Sequence, residues 1–450
     1  MATTYLSYTQ GTPTNNKKWT WSGWIKLGGL DIGTRYIMSA YDDANNNTNI
    51  RFLDTTGRLD FQNYVSSSDA GRLKTTMYLK DPSAWYNIVC IFDSDNVTSG
   101  DRQQIWINGV RQTVFDTETY PSSGAVSIMN ADTRVAEIGR RSDGTDMWNG
   151  NMAHVHFCDG QAYAASNFGS FDATSGIWVA NSSPSVTYGN NGYFMKFASG
   201  ATGTDSSGEG NNMTVTGTLT TTKDNPDNNF NCPNQNQNRS GMTYLNGGTT
   251  MKGVADSTTR GGFCNFALNS GKWYYELRFG DTISGEATVG ICDQDVVPQR
   301  TGANINPFST DSLRSYGYRS GGNKITAGTS AAYGNTYADG DDIGCAMDLD
   351  AGNIWFSKNG TWQNSATIAE IAAGTTTNAA YSSMVTGKYY VVAQMYENLL
   401  KTYYNFGQGS FSGTAFSGTT YQDSNSEGIF KYEVPSGFLA ICTANIKANS

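Results

Sequence analysis

The stretch Tyr333–Gly360, YGNTYADGDDIGCAMDLDAGNIWFSKNG, decides how its half of the chain folds. Ile343, Cys345, Met347 and Leu349 alternate with small or acidic residues. Ile354 and Phe356 alternate with Trp355 and Ser357. Period two is the mark of a strand, since successive side chains point to opposite faces. Between the two runs, Asp350-Ala351-Gly352-Asn353 supplies a turn, because Gly and Asn accept positive φ at little cost. A second turn follows at Lys358-Asn359-Gly360. The stretch is therefore expected to form a β-meander with one face buried, and it carries no evident reaction chemistry.

Composition extends this reading to the whole chain. Of 450 residues only 15% are charged, while 12% are aromatic. An average soluble protein is about 25% charged. Gly, Ser, Thr and Asn make up the difference, and the aromatics can supply a core that a disordered chain lacks. Long amphipathic runs of strong helix formers are missing, so the fold class is all-β. Net charge is −9 and no basic patch stands out, which argues against nucleic-acid binding. The seven cysteines, Cys90, Cys158, Cys232, Cys264, Cys292, Cys345 and Cys442, form no CxxC pair. Most lie in apolar strand-like runs, where a free thiol behaves as a small hydrophobe. Reduced cysteines, and an opening MATTYLSYTQ without a signal-peptide pattern, predict a protein made in a cytoplasm. No apolar run nears the roughly 20 residues that span a bilayer, so no membrane insertion is expected.

From the start of the chain, KWTWSGWIKL puts Trp19, Trp21, Gly23 and Ile25 on one strand face and Thr20, Ser22, Trp24 and Lys26 on the other. Strand-like runs recur at 35–40, 49–53, 58–64, 85–92, 103–107 and 134–138, with Gly-, Asn- and Asp-rich turns between many of them. WTWSGWIKL, WYNIVCIFD, QQIWINGV, AEIGRR and WNGNMAHVHFCDGQAYAASNFG follow in the order of a laminin-G-like, concanavalin-A-like jelly roll, and residues 1–200 resemble that family. GKWYYEL, VGIC, SYGY, the stretch quoted first and YNFGQGSF are similar, in order and spacing, to a SPRY domain. Tyr188–Thr216 and the closing VPSGFLAICTANI resemble virion proteins of marine tailed bacteriophages.

The resemblance implies two concanavalin-A-like antiparallel β-sandwich (jelly-roll) domains in tandem. The expected boundaries are 1–222 for the lectin-like domain, 223–240 for an Asn/Pro-rich linker, 241–412 for the SPRY-like sandwich and 413–450 for a tail. It further implies a non-enzymatic virion protein, a tail-fibre or tail-associated adhesin that binds a host cell-surface glycan or protein. Its partners would include other virion proteins and copies of itself, with a trimer expected from family habit. The lectin-like module begins almost at Met1, with no repetitive shaft, and this sets a capsid-decorating or head-fibre role beside the fibre role. A polysaccharide depolymerase or glycosidase is the enzymatic alternative.

Several residues could carry chemistry. His154 and His156 stand at i and i+2 on a strand and could offer two metal ligands; the plainer reading is a polar pair on a half-buried sheet. Asp348 and Asp350 share a face, as paired glycosidase carboxylates would. Concanavalin-A-like glycosidases carry theirs in a Glu-Xaa-Asp-Xaa(-Xaa)-Glu pattern, which is absent, and a strand entering a turn explains the pair. No nucleophile elbow or phosphate loop occurs. No cofactor is expected beyond calcium, which laminin-G-like domains often hold at a rim. The oxygen-rich loops are 42–47, with Asp42 and Asp43, and 143–146, with Asp143 and Asp146. Sugar binding needs exposed rings beside amides and carboxylates. Tyr41 with Asp42 and Asp43, and Trp148 with Asp146 and Asn149, fit that description. In the SPRY-like module the polar loops 293–307 and 319–323 are the candidates for partner binding.

Overall fold

Alternation in Lys18–Leu27 sends Trp19, Trp21 and Ile25 into one apolar core and Trp24 into another on the opposite face. Gly23 shares the face of the first three. A Cβ there would come within 2.6 Å of the Trp21 ring, so only glycine leaves that ring its place. In the computed structural model the chain divides into two units, Met1–Thr221 and Thr222–Ser450. The structure describes residues 4–29, 33–53, 57–236, 242–253, 259–280, 285–295, 306–309, 314–396 and 400–449.

The first unit packs an eight-stranded sheet on a six-stranded one. The larger sheet runs, in spatial order, Phe115–Thr119, Ser68–Tyr78, Arg58–Val65, Asn46–Leu53, Arg35–Asp43, Val135–Ile138, Tyr5–Thr9 and Thr214–Thr216. The smaller runs Tyr193–Met195, Gly150–Asp159, Lys18–Leu27, Trp85–Asp93, Gln103–Ile107 and Val110–Arg111. Ile50, Phe52, Leu59, Phe61 and Leu73 of the larger sheet meet Trp19, Trp21, Ile88, Cys90 and Phe157 of the smaller in one core. The outer face of the smaller sheet is covered in turn. Phe168, Trp178 and Tyr188 pack there against Trp24, Val89 and Phe194. The first strand also pairs with the last, Tyr5–Ser7 against Thr214–Thr216.

One carboxylate ties the loops at the end of this sandwich. Asp159 is fully buried and accepts the main-chain N–H groups of Thr14 (2.7 Å), Asn15 (3.1 Å) and Asn191 (3.1 Å), and the Asn130 amide (2.6 Å). The Asn191 side chain bonds both main-chain groups of Gly11. Three chain segments thus converge on a single carboxylate acceptor, and hydrogen bonds to an ionised acceptor are the stronger kind.

In the second unit Lys272–Gly280, Asp342–Asp348 and Asn353–Lys358 are adjacent in one sheet. The quoted stretch forms the expected hairpin, with Ile343 opposite Lys358 and Asp348 opposite Asn353. The expectation of one buried face is corrected, because both faces are buried. Cys345 and Met347 face the sandwich core, where Val289, Ile291 and Val391 of the six-stranded sheet meet them. On the other face Tyr274, Ala346 and Trp355 stand in one cross-strand row. Phe430 packs on Tyr274 (ring centroids 4.9 Å) and Phe438 on Trp355 (6.4 Å).

Those phenylalanines belong to the segment expected to be a tail. Leu439–Ala440 adds a short parallel strand beside Trp273 and Tyr274. Two buried acids on the strands hold the same segment. Glu276 accepts the N–H groups of Lys431 and Tyr432, and Asp342 accepts from the Lys431 ammonium (2.6 Å) and the Tyr432 hydroxyl (2.9 Å). Burial pushes the Glu276 carboxyl up to about 7, against the pull of these donors. The stretch 223–240 is likewise no simple linker among its described residues. Phe230 is a core residue, Cys232 is buried, and Asn231 N–H bonds the Ile441 carbonyl. Its polar composition hid this, since one phenylalanine has no period to detect.

Candidate glycan-binding face

The outer face of the eight-stranded sheet in the first unit carries the densest polar array there. Alternation puts it in place: Thr48, Ile50 and Phe52 point inward, so Asn47, Asn49 and Arg51 point out. Register then aligns the outward residues of neighbouring strands. One row reads Val135, Tyr41, Asn47, Tyr64, Asp69, and the next reads Glu137, Ser39, Asn49, Gln62, Arg72. A third brings Arg51 opposite Asp60 and Asp60 opposite Lys74.

These side chains are bound to one another. Asp60 is fully buried between two guanidinium groups, Arg51 at 2.9 Å and Arg72 at 2.8 Å. Arg51 also donates to Gln62 (2.7 Å), and Gln62 donates to Asp69 (2.6 Å). Asn49 donates to Asn47 (2.7 Å). Glu137 receives both arms of Arg140 (2.7 Å each), whose guanidinium lies 3.5 Å from the Tyr5 ring centroid. Such a network fixes each rotamer, which is what preorganised recognition requires. The carboxylate oxygens are taken up by arginines and amides. Among its described residues the face therefore offers rings, amides and paired charges.

Tyr41 and Tyr64 stand near the tips of two hairpins that are tied together. Ser67 N–H bonds the Asn45 carbonyl (3.1 Å), and Ser66 N–H bonds the Asn46 side chain (3.0 Å). Ser66 (φ 51°) and Ser67 (φ 63°) both occupy the left-handed region, which serine seldom adopts.

The structure separates the candidates read from sequence. Tyr41, Asp42 and Asp43 lie together at this hairpin tip. Asp42 pairs with Arg134 (2.9 Å), and Asp43 closes its own turn by accepting from Asn45 N–H (2.7 Å) and the Asn46 amide. Asp143, Asp146, Trp148 and Asn149 belong to the other end of the same strand, since the Asp146 carbonyl accepts from Tyr36 N–H. Tyr36 and Asp42 are six residues apart, about 20 Å along a strand. Trp148 is no exposed platform: it packs against the core and stacks on Phe52 (6.2 Å). Asn149 lies against Gly28, where a Cβ would come within 2.5 Å of its Oδ1.

The calcium expectation meets the same geometry. Asp143 is engaged by Arg141 (3.1 Å) and by Thr145, and no group of three or more His, Cys, Asp or Glu side chains able to hold a metal occurs among the described residues. In the second unit Asp348 pairs with Lys272 (3.2 Å) and caps Ala351 N–H, while Asp350 accepts from Gly271 N–H (2.9 Å). Asp348 closes its own turn, and Asp350 ties that turn to the one before Lys272–Gly280. Loop 319–323 is a tight turn, with Gly322 N–H on the Arg319 carbonyl, and most of loop 293–307 lies outside the described residues.

His156 is not half-buried but enclosed. Its ring lies 4.0 Å from Phe194 and its Nδ1 is 3.0 Å from the Tyr188 hydroxyl. Burial first, then the nearby His154 and Lys196 charges, pull it down to about 3. The folded unit therefore keeps this ring neutral where the unfolded chain, near 6.5, takes a proton. Stability is complete above about 6.5 and falls as pH drops toward 3, by about 1.4 kcal/mol per unit from this residue. Acid unfolding of the first unit between pH 6.5 and 4.5 should be relieved in His156→Phe, as read by melting temperature against pH. An unchanged profile would exclude this histidine as the cause.

Comparison with known proteins bears on both units. Residues 1–166 match the family model of the concanavalin A-like lectin/glucanases superfamily, and residues 272–381 match that of the SPRY domain. No curated protein matches the chain. Among solved structures, the SPRY domain of human HERC1 is similar at 17% identity, over 35% of this chain and 87% of that one, with a TM-score of 0.28. The native heptameric SAP-like pentraxin from Limulus polyphemus is similar at 17% identity, over 42% and 89%, with a TM-score of 0.30.

Proposed function

We propose that this chain is a non-catalytic adhesion protein of a bacteriophage particle, tail-fibre or tail-associated, that binds a host-surface glycan or protein. The observation that carries the binding role is the outer face of the eight-stranded sheet. It gathers rings, amides and charges into a fixed array whose carboxylates are engaged by neighbouring side chains. A glycosidase needs two carboxyl groups facing one scissile bond, and those of Asp60, Asp69 and Glu137 face arginines instead. The virion assignment draws on the likeness of Tyr188–Thr216 and VPSGFLAICTANI to marine-phage virion proteins. Weak sites repeated in an oligomer would gain by avidity.

The test has two parts. Immunogold labelling of intact particles should mark the tail, and the purified chain should adhere to host envelopes, unchanged by Asp348→Asn. Labelling of capsid lattice positions would replace the fibre role with decoration. Release of reducing sugar ends from host polysaccharide would replace adhesion with catalysis.

A further inference from the structure

Tyr41, Asn47 and Tyr64 are direct neighbours on three adjacent strands, with Asn47 in the middle. Adjacent strands lie about 4.8 Å apart, so the two tyrosines rise from the sheet roughly 10 Å from each other. Asn47 is buried at the floor, and both tyrosines are half-buried. No hydrogen bond engages either phenol hydroxyl among the described residues. The hairpin tips beside them are tied to each other.

We propose that the trough between Tyr41 and Tyr64 is a subsite for one neutral pyranose residue of a host glycan. This inference rests on the glycan-binding reading above and names the ligand class. Three observations lead to it. Two strand spacings, about 10 Å, separate the positions of the two tyrosines, a span that a sugar chair can enter with its C–H faces against aromatic carbon. The two free hydroxyls can each bond a sugar hydroxyl, and Asn47 lies beneath.

Charge selects the neutral sugar. Three carboxylates, Asp42, Asp43 and Asp69, rim the trough, against the two guanidinium groups of Arg134 and Arg72. The chain as a whole carries −9. A uronate or sulfate would approach this excess of negative charge within about one screening length.

The experiment is titration of the full chain with gluco-, galacto- and manno-oligosaccharides and with oligogalacturonate, alongside adhesion to host envelopes. At least one neutral oligosaccharide should bind. Tyr41→Ala and Tyr64→Ala should each weaken it about tenfold, the loss of one ring contact and one hydrogen bond. Tyr64→Phe, which keeps the ring, should lose less. Tyr64→Phe should leave the melting temperature near that of the parent, so that its binding change is read free of unfolding. Binding that survives both alanine variants, or a preference for oligogalacturonate, overturns the subsite while the adhesion reading stands. So does adhesion to envelopes by a chain that binds none of these oligosaccharides. Loss of adhesion together with all sugar binding overturns both.

Discussion

A chain ending at residue 412 is expected to lose its second unit, while the first unit stays folded. The missing segment brings Phe430, Phe438, Leu439 and Ile441 into the core. Burial of a large apolar side chain contributes about 1.5–3 kcal/mol, so these four alone supply roughly 6–12 kcal/mol. That equals the 5–15 kcal/mol by which whole domains are stable. The polar consequences add to the loss. Glu276 would be left without two of its main-chain donors, and Asp342 without Lys431 and Tyr432. Trp273 and Tyr274 would lose a strand partner. Far- and near-ultraviolet circular dichroism should show one cooperative melting transition in the truncated chain, with near-complete proteolysis of residues beyond 221. Phe438→Ala in the full chain should fall between, at about 3–5 kcal/mol of lost stability. A truncated chain that melts like the parent would show the segment to be an accessory covering.

In Asp159→Ala the effect is expected in the other unit and from a single side chain. The carboxylate holds three main-chain N–H groups and the Asn130 amide in a fully buried site. Each donor left unsatisfied costs about 1–3 kcal/mol, and water entering the space recovers part of it. A net loss of about 4 kcal/mol or more follows, in the range reserved for breaking a buried polar network. Asp159→Asn keeps the shape but turns an amide group toward the same donors, so it should lose about half as much. Urea unfolding should show the first transition moving to lower denaturant and the second unmoved. A change below 1 kcal/mol in the alanine variant would mean that the loops hold without their acceptor.

Local pattern made much of the fold legible. The alternation in KWTWSGWIKL and in Asp342–Lys358 reports strands because each has a fully apolar side to declare. What stayed hidden depends on distant register. Nothing near Ala346 and Trp355 tells that residues some 80 positions later cover them, and so the second buried face was missed. Tyr41 was found because a ring beside two acids is a local signal. Its counterpart Tyr64 was not, since only the pairing of both with Asn47 makes them neighbours. Arg51 and Asp60 were legible only as the polar half of strand alternation, and Arg72 stands on the strand Ser68–Tyr78, outside every run read as a strand. Trp148 misled for the opposite reason: its polar neighbours in sequence are not its neighbours in space, where Phe52 lies against it.

The strand at Leu439–Ala440 sets an order of events during synthesis. Its partner, Trp273–Tyr274, leaves the ribosome long before it. At 5–20 residues per second the wait is on the order of 10–30 s. Through that interval one edge of Lys272–Gly280 is open beside Trp273, and Tyr274 and Trp355 lack the phenylalanines that will shield them. The first unit waits as well, since Tyr5–Ser7 pairs with Thr214–Thr216, but its closing strand is made before the second unit's sheets begin. A nascent chain stalled between residues 412 and 430 should therefore carry one finished sandwich and one that chaperones still recognise.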